Sequence, residues 1–515
     1  MLSRKTFKFQ NRGVWLSDKA IIGVLLVCTI TTLPSLLRAA SISDTDITYW
    51  VQEALRQDAR VDASEITVST KEGIVTLSGS VDNIAAKKYA DLEAKKIDGV
   101  LGVINEIVVS PTWRSDTDIR NAVRRRILNS AVIESEGISV MCLDDKVTLS
   151  GKVKSYAEKK EAELLASEVR GVKEVTNNIM TEWETQRSDQ EIKNDAVAAL
   201  ERDVYLNALP ITVSVKDRVI TLEGTVGSAY EKDRAENDIQ WISNVKSIDN
   251  KLKVEWWEKR GVREKRSLPS DADLKKTVKD ALDQDIRIDA SDISVNVSYG
   301  QVILNGSVYS HYEKRIAEQD ARDVVGVGWV TNNLFARVDK REDWAVRDDV
   351  KFNLDTDAIT EGFDIGVKVK DGVVTLTGNV HNWYERYHAE EVASRVKGVK
   401  NVINQITVYR PTTRIHPDAA VANDIKERFK QNWAVSNVSG QINVSVKNGV
   451  AILTGEVDTW AQYRQAAEVA FNTEGIWKVD NRLTVKGYNY NWENWYLGEP
   501  YIYDPDEPHY PWYTW

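Results

Sequence analysis

Val367-Lys-Val-Lys-Asp-Gly-Val-Val-Thr-Leu-Thr-Gly-Asn-Val380 reads as a β-hairpin. Apolar residues alternate at Ile365, Val367 and Val369, and again at Val374, Leu376 and Val380. This is the period of strands with one buried face. Between them Asp371-Gly372 is a dipeptide that tolerates the positive φ angles of a two-residue turn. Gly378 falls on the inward parity, where a large apolar residue is expected. Glycine weakens a strand interior, so its presence there predicts a close approach by another segment.

The same phrase returns with its inward glycine at Gly79, Gly151, Gly224, Gly306, Gly378 and Gly455, at spacings of 72, 73, 82, 72 and 77 residues. A period this long means tandem domains rather than a solenoid of short units. Before each hairpin an amphipathic helix is predicted, as by Ile47, Val51, Ala54 and Leu55 or by Val346, Val350 and Leu354. After it comes a second helix with a stripe of small residues, such as Ala90 and Ala94 or Ala389 and Ala393. That stripe is expected to settle over the glycine. Gly-Val pairs, as at Gly398-Val399, suit a left-handed helix terminus, and a last strand follows through Val402, Ile403, Ile406 and Val408. The fold class expected is α+β: six tandem α-β-β-α-β domains, each a three-stranded mixed sheet covered on one face by two helices, after an N-terminal hydrophobic helix.

In these features the chain resembles the BON domain family. The pattern Val-x-Val-x-Asp-Gly-Val-Val-Thr-Leu-x-Gly-x-Val, the alanine helix, Gly-Val and Val-x-Asn carry the likeness over about Asp44 to Lys486. The second hairpin departs with Asp145-Lys146 and the third with Asp217-Arg218. Domains are expected at 44–109, 116–182, 188–255, 271–338, 343–409 and 418–486, with a basic linker at 256–270 and an aromatic, proline-rich tail at 488–515. Multi-copy chains with an export signal resemble the osmotically inducible periplasmic proteins of Gram-negative bacteria. The resemblance implies a non-catalytic envelope protein that associates with phospholipid or membrane surfaces. Matching segments such as Arg60–Val68 and Arg287–Val295 suggest that a block of three units was duplicated.

Residues 1–40 carry Arg4, Lys5, Lys8, Arg12 and Lys19 ahead of the apolar run 20–37, a signal peptide or a signal anchor. The repeats are then expected in the periplasm, tethered to the inner membrane or free after cleavage. With 28 % charged residues and a net charge of −10, the chain does not read as a nucleic-acid binder. Two cysteines, Cys28 and Cys142, leave no disulfide framework within the repeats. No catalytic constellation, cofactor motif or metal ligand set is read. The five histidines are scattered, and His381 and His388 have a surface spacing.

The contact candidates are the basic residues Lys259, Arg260 and Arg263 of the linker, and aromatics where the hairpin enters the second helix: Trp383, Tyr384, Trp460 and Tyr463. Tryptophans after the last strand, such as Trp113, are expected to pack on the next domain or to face lipid or a partner. The partners expected are an anionic phospholipid or membrane surface, and an envelope protein. Two functions remain open: a lipid-binding envelope protein acting under osmotic or envelope stress, and a periplasmic scaffold or chaperone-like array whose tail docks a partner.

Overall fold

The computed structural model describes residues 42–133, 137–181, 187–207, 209–255, 269–408, 417–486 and 502–503. Repeat 5 shows how one unit is built. Its first helix, Asp343–Thr356, buries Val346, Val350 and Leu354. The strands Gly366–Lys370 and Val373–Val380 pair antiparallel, with Val367 opposite Leu376 and Val369 opposite Val374. Asp371 and Gly372 take φ of 53° and 78°, as a type I′ turn requires. In repeat 2 the turn lies at Asp144-Asp145, with φ of 52° and 63°, one residue earlier than the sequence reading placed it.

A contact that periodicity does not announce ties this turn to the first helix. The amides of Asp371 and Gly372 donate to the Asp343 carboxylate at 2.9 and 3.0 Å. The same pair of bonds reaches Asp44, Asp116, Asp189, Asp271 and Asp418. Each of these is the first residue of its helix, so one acid holds both the helix start and the turn.

The inward glycine has a different neighbour from the one expected. Gly378 has φ +136°, and a Cβ there would lie 2.6 Å from the Asp364 carbonyl oxygen. What comes close is the backbone leading into the preceding strand, and the conformation itself favours glycine. The second helix, Trp383–Ser394, does bury Ala389 and Ala393 completely, but it does not occupy the glycine's space.

The last strand, Asn401–Val408, runs parallel to the second hairpin strand. It is pinned to the second helix by Asn404, whose Nδ2 donates to the Arg386 carbonyl at 2.9 Å and whose Oδ1 accepts from the Ile406 amide. Asn105, Asn177, Asn250, Asn332 and Asn481 repeat the bond to the helix. All six units thus carry a three-stranded mixed sheet with two helices on one face.

The units form one body, and they pair as 1 with 6, 2 with 5 and 3 with 4. Each pair makes two reciprocal backbone bridges, joining the end of one unit's first helix to the end of the other's second helix. These are Asp58 with Thr473 and Ile97 with Asn432; Ser130 with Val396 and Val169 with Asp357; Asp203 with Val324 and Ile242 with Asp285. Further contacts join units 1 and 3 through Lys95 and Asp233, units 4 and 6 through Arg464 and Asp323, and units 5 and 6 through stacked Trp383 and Trp477. The connections place the helices inside.

Among the described residues no helix is long and apolar enough to cross a membrane. The N-terminal segment 1–40, the apolar run 20–37 and the linker 256–268 lie outside the described residues. Of the tail, Ile502–Tyr503 pairs antiparallel with Val479 and Asp480 on the last strand of unit 6.

Candidate functional site

Because the second helices point inward, their polar faces meet one another instead of water. Charges buried this way must be paired. Between units 1 and 6, Lys96 reaches Glu93 at 3.0 Å and Glu468 at 2.5 Å, while Arg428 lies 3.2 Å from Glu93. Between units 3 and 4, Arg234 bridges Asp203 and Asp323 at 2.8 and 2.7 Å. Between units 2 and 5, Arg126 reaches Asp357 at 2.9 Å, and Arg395 reaches Glu168 at 2.7 Å. Asp357 also meets His388 Nε2 at 2.9 Å. His388 is 3 % exposed, so its expected surface position is corrected: the helix carrying it packs against unit 2. His311 is likewise buried, and His381 alone of the spaced pair is exposed.

The aromatics at the helix entries are drawn into the same interior. Trp460 and Tyr463 are buried and meet edge to face at 5.2 Å. Trp383 stacks on Trp477 at 5.8 Å, and the Tyr384 hydroxyl lies 3.1 Å from that of Tyr89 in unit 1. Trp383 and Tyr384 thus connect unit 5 to units 6 and 1. Lys259, Arg260 and Arg263 fall outside the described residues. After the first helices of units 1 and 4, an internal ion pair closes the turn: Arg60 Nε donates to Asp58 at 2.8 Å, and Arg287 Nε donates to Asp285.

Exposed basic and aromatic residues occur along and just before the first helix of unit 2. The first helix of unit 2, Asp116–Asn129, follows the Ser115 cap and buries Ile119, Val123 and Ile127. Five arginines lie between Arg114 and Arg126 in a chain that is acidic overall. Arg126 turns inward to Asp357, and Arg125 lies over the Phe352 ring at 3.9 Å. Arg120 and Arg124 remain exposed, on the same stripe as Leu128, which is 51 % exposed. Trp113, just before the helix, is 82 % exposed rather than packed on the next unit. Across the pair, Trp344 at the start of the first helix of unit 5 is 62 % exposed. These residues were missed because sequence reading followed aromatics that recur at the entry to the second helix. The arginine cluster of Arg120, Arg124 and Arg125 belongs to unit 2 alone.

The BON domain model matches residues 43–111, 115–181, 188–255, 270–336, 343–410 and 417–487. The chain belongs to the BON domain family. Its BON units are similar to "Osmotically-inducible protein Y" of Escherichia coli strain K12, at 31 % identity over 147 residues, covering 27 % of this chain and 73 % of that protein. They are also similar to "Outer membrane lipoprotein DolP" of Haemophilus influenzae, at 26 % identity over 162 residues, covering 30 % of this chain and 83 % of that protein. Among solved structures, CdsD, a structural protein of the type III secretion system of Chlamydia trachomatis, aligns at 16 % identity over 38 % of this chain and 86 % of its own, with a TM-score of 0.12.

Proposed function

We propose that this BON protein is a non-enzymatic envelope protein that docks on anionic phospholipid surfaces and acts in osmotic or envelope stress. The observation that carries the reading is the exposed stripe of Arg120, Arg124 and Leu128, with exposed Trp113 just ahead of its helix, on a protein of net charge −10. Arginines attract anionic headgroups, while an indole and a leucine suit the interface between headgroup and acyl chain. Membership of the family supports the reading, and the names of its relatives point to the envelope and to osmotic induction. The periplasm is the proposed compartment. Lys259, Arg260 and Arg263 are proposed to add to the attraction.

Vesicle flotation of the full chain tests this. It should float on phosphatidylglycerol-containing vesicles at low salt, and not on phosphatidylcholine alone. Arg120→Glu with Arg124→Glu should weaken binding by at least about thirtyfold, since each basic residue near such a surface contributes about 1 kcal/mol. Trp113→Ala should weaken it further. Flotation that ignores salt and all three substitutions would assign the docking to another surface.

A further inference from the structure

The sheet of unit 4 differs from the other five in what it turns away from the helices. Its strands, Ile293–Ser298, Gln301–Val308 and Trp329–Ala336, contain no charged residue, although 28 % of the chain is charged. Lys71, Lys146, Lys216, Lys368 and Lys447 stand in the strands of the other units. Val302 and Leu304 face the helices and are fully buried, so alternation sends Gln301, Ile303 and Asn305 to the far side of the sheet. Just past one end of that side, Asp292 and Arg337 pair with each other and cancel.

Rings stand at both ends of this uncharged face. Trp329 and Phe335 share a parity on the last strand, six residues and thus about 20 Å apart. Phe335 is 60 % exposed, and at its end of the sheet Tyr309 is exposed beside the Arg337 guanidinium. Tyr299, in the hairpin turn at the Trp329 end, is 80 % exposed and has φ of 51°. The equivalent turn positions hold Glu72, Asp144, Asp217, Asp371 and Asn448. A bulky tyrosine is unfavourable in this left-handed backbone, so the turn itself does not account for it.

Between the rings the face is built of amides and hydroxyls fixed across the strands. Gln301 Nε2 and Trp329 Nε1 both donate to the Thr331 hydroxyl at 3.2 Å. Two rows on, Asn333 Nδ2 donates to Asn305 Oδ1 at 3.1 Å. A carboxamide has two donor hydrogens and an oxygen with two lone pairs, so one such bond positions the group and leaves it able to bond a ligand.

We propose that this face of unit 4 binds an extended, uncharged glycan chain of N-acetylated sugars. The charge complementarity is that of a neutral face for a neutral chain, since an anionic or cationic partner would meet no countercharge on it. Aromatic rings at the ends suit the apolar C–H faces of sugar rings, and carboxamides between them suit acetamido and hydroxyl groups, which donate and accept in the same way. The spacing of the rings calls for several linked sugars rather than one. The inference does not rest on the membrane-docking reading, because the face shares no residue with the arginine stripe of unit 2.

Calorimetric titration of the N-acetylglucosamine hexamer into the full chain is the test. One saturable heat is expected, and it should be unchanged between low and high salt because no ionic contact is involved. The N-acetylglucosamine dimer, too short to reach both ends, should bind at least about tenfold more weakly, and Trp329→Ala with Phe335→Ala should weaken the hexamer by a similar factor. Tyr299→Asn should weaken it as well without lowering the melting temperature, since asparagine accepts the positive φ, and this variant carries the test if the double variant melts early. The Arg120→Glu, Arg124→Glu variant should keep the full heat. No heat from the hexamer, equal affinity for the dimer, or equal heat from wild type and every variant that keeps its fold overturns the proposal. Sedimentation equilibrium supplies the remaining check: a dimer of the chain that the Trp329→Ala, Phe335→Ala variant dissociates would assign the face to a second copy instead.

Discussion

Gly378 illustrates how one residue can be predicted correctly and explained wrongly. Its position on the inward face is plain from alternation, yet the reason for glycine lies in a φ of +136° and in the Asp364 carbonyl 2.6 Å from where a Cβ would sit. A helix that packed too tightly could shift to admit a methyl group; the backbone that leads directly into a paired strand is held by the ladder that follows it. Gly378→Ala is therefore expected to destabilise by about 1–3 kcal/mol, the range for a non-glycine residue held in a strained conformation. Urea unfolding of the full chain measures it. A near-zero effect would return the explanation to the helix, whose alanines could accommodate one more methyl.

The element that changes meaning in the structure is the second helix. Its outward polar face, which would be solvated on a lone domain, is instead the inner wall of the assembly. Arg395 and Glu168, at the ends of the second helices of units 5 and 2, make the point, and beside them Arg126 and Asp357 of the first helices are both fully buried. Arg126→Ala leaves the Asp357 charge without its arginine and should cost about 3–5 kcal/mol, again by urea unfolding. His388 adds a dependence on pH. Burial works against its protonated form, but the Asp357 carboxylate outweighs this and raises it above its ordinary 6.5. A raised folded value means that protonation stabilises the fold below 6.5 and that this contribution fades as pH climbs through the raised value. The Asp357 carboxyl, held well below its usual range by His388 and Arg126 despite burial, keeps its part until strongly acidic pH. The difference in melting temperature between wild type and His388→Asn should thus be largest below pH 6.5 and shrink on the alkaline side. A constant difference would mean that the imidazole is neutral throughout.

For the whole molecule, the pairing of 1 with 6, 2 with 5 and 3 with 4 folds the chain back on itself about its middle. The pattern is closed under exchange of unit 1 for 4, 2 for 5 and 3 for 6. Unit 2 then pairs with its own counterpart, and the other two pairs exchange. A duplicated block of three is compatible with this arrangement. Ile97→Cys with Asn432→Cys, in a chain lacking Cys28 and Cys142, should form a disulfide under mild oxidation, because facing residues of an antiparallel bridge lie within disulfide reach. A mobility shift on non-reducing gels reads it, and its absence would argue that the chain is a string of independent domains. Since each unit buries charged groups against another, the body should also unfold in one calorimetric transition rather than six.

What the sequence determined by itself was the unit. Period-two alternation, a turn dipeptide that accepts positive φ and a 72-to-82-residue spacing are local signals, and they were enough to define six BON domains and the order of their elements. The bond between Asp343 and the turn was not read from the sequence, because nothing local says where that carboxylate points. Tertiary structure alone decided which faces are outside. Helical charges such as Glu93, Lys96 and Arg395, and rings such as Trp460, look solvated or available when one unit is read in isolation. Their partners lie up to 372 residues away in the chain, as between Lys96 and Glu468, and no periodicity within a unit encodes a contact of that range. That Trp113, Arg120, Arg124 and Leu128 stay exposed is likewise a property of the assembled units that the sequence of one unit does not state.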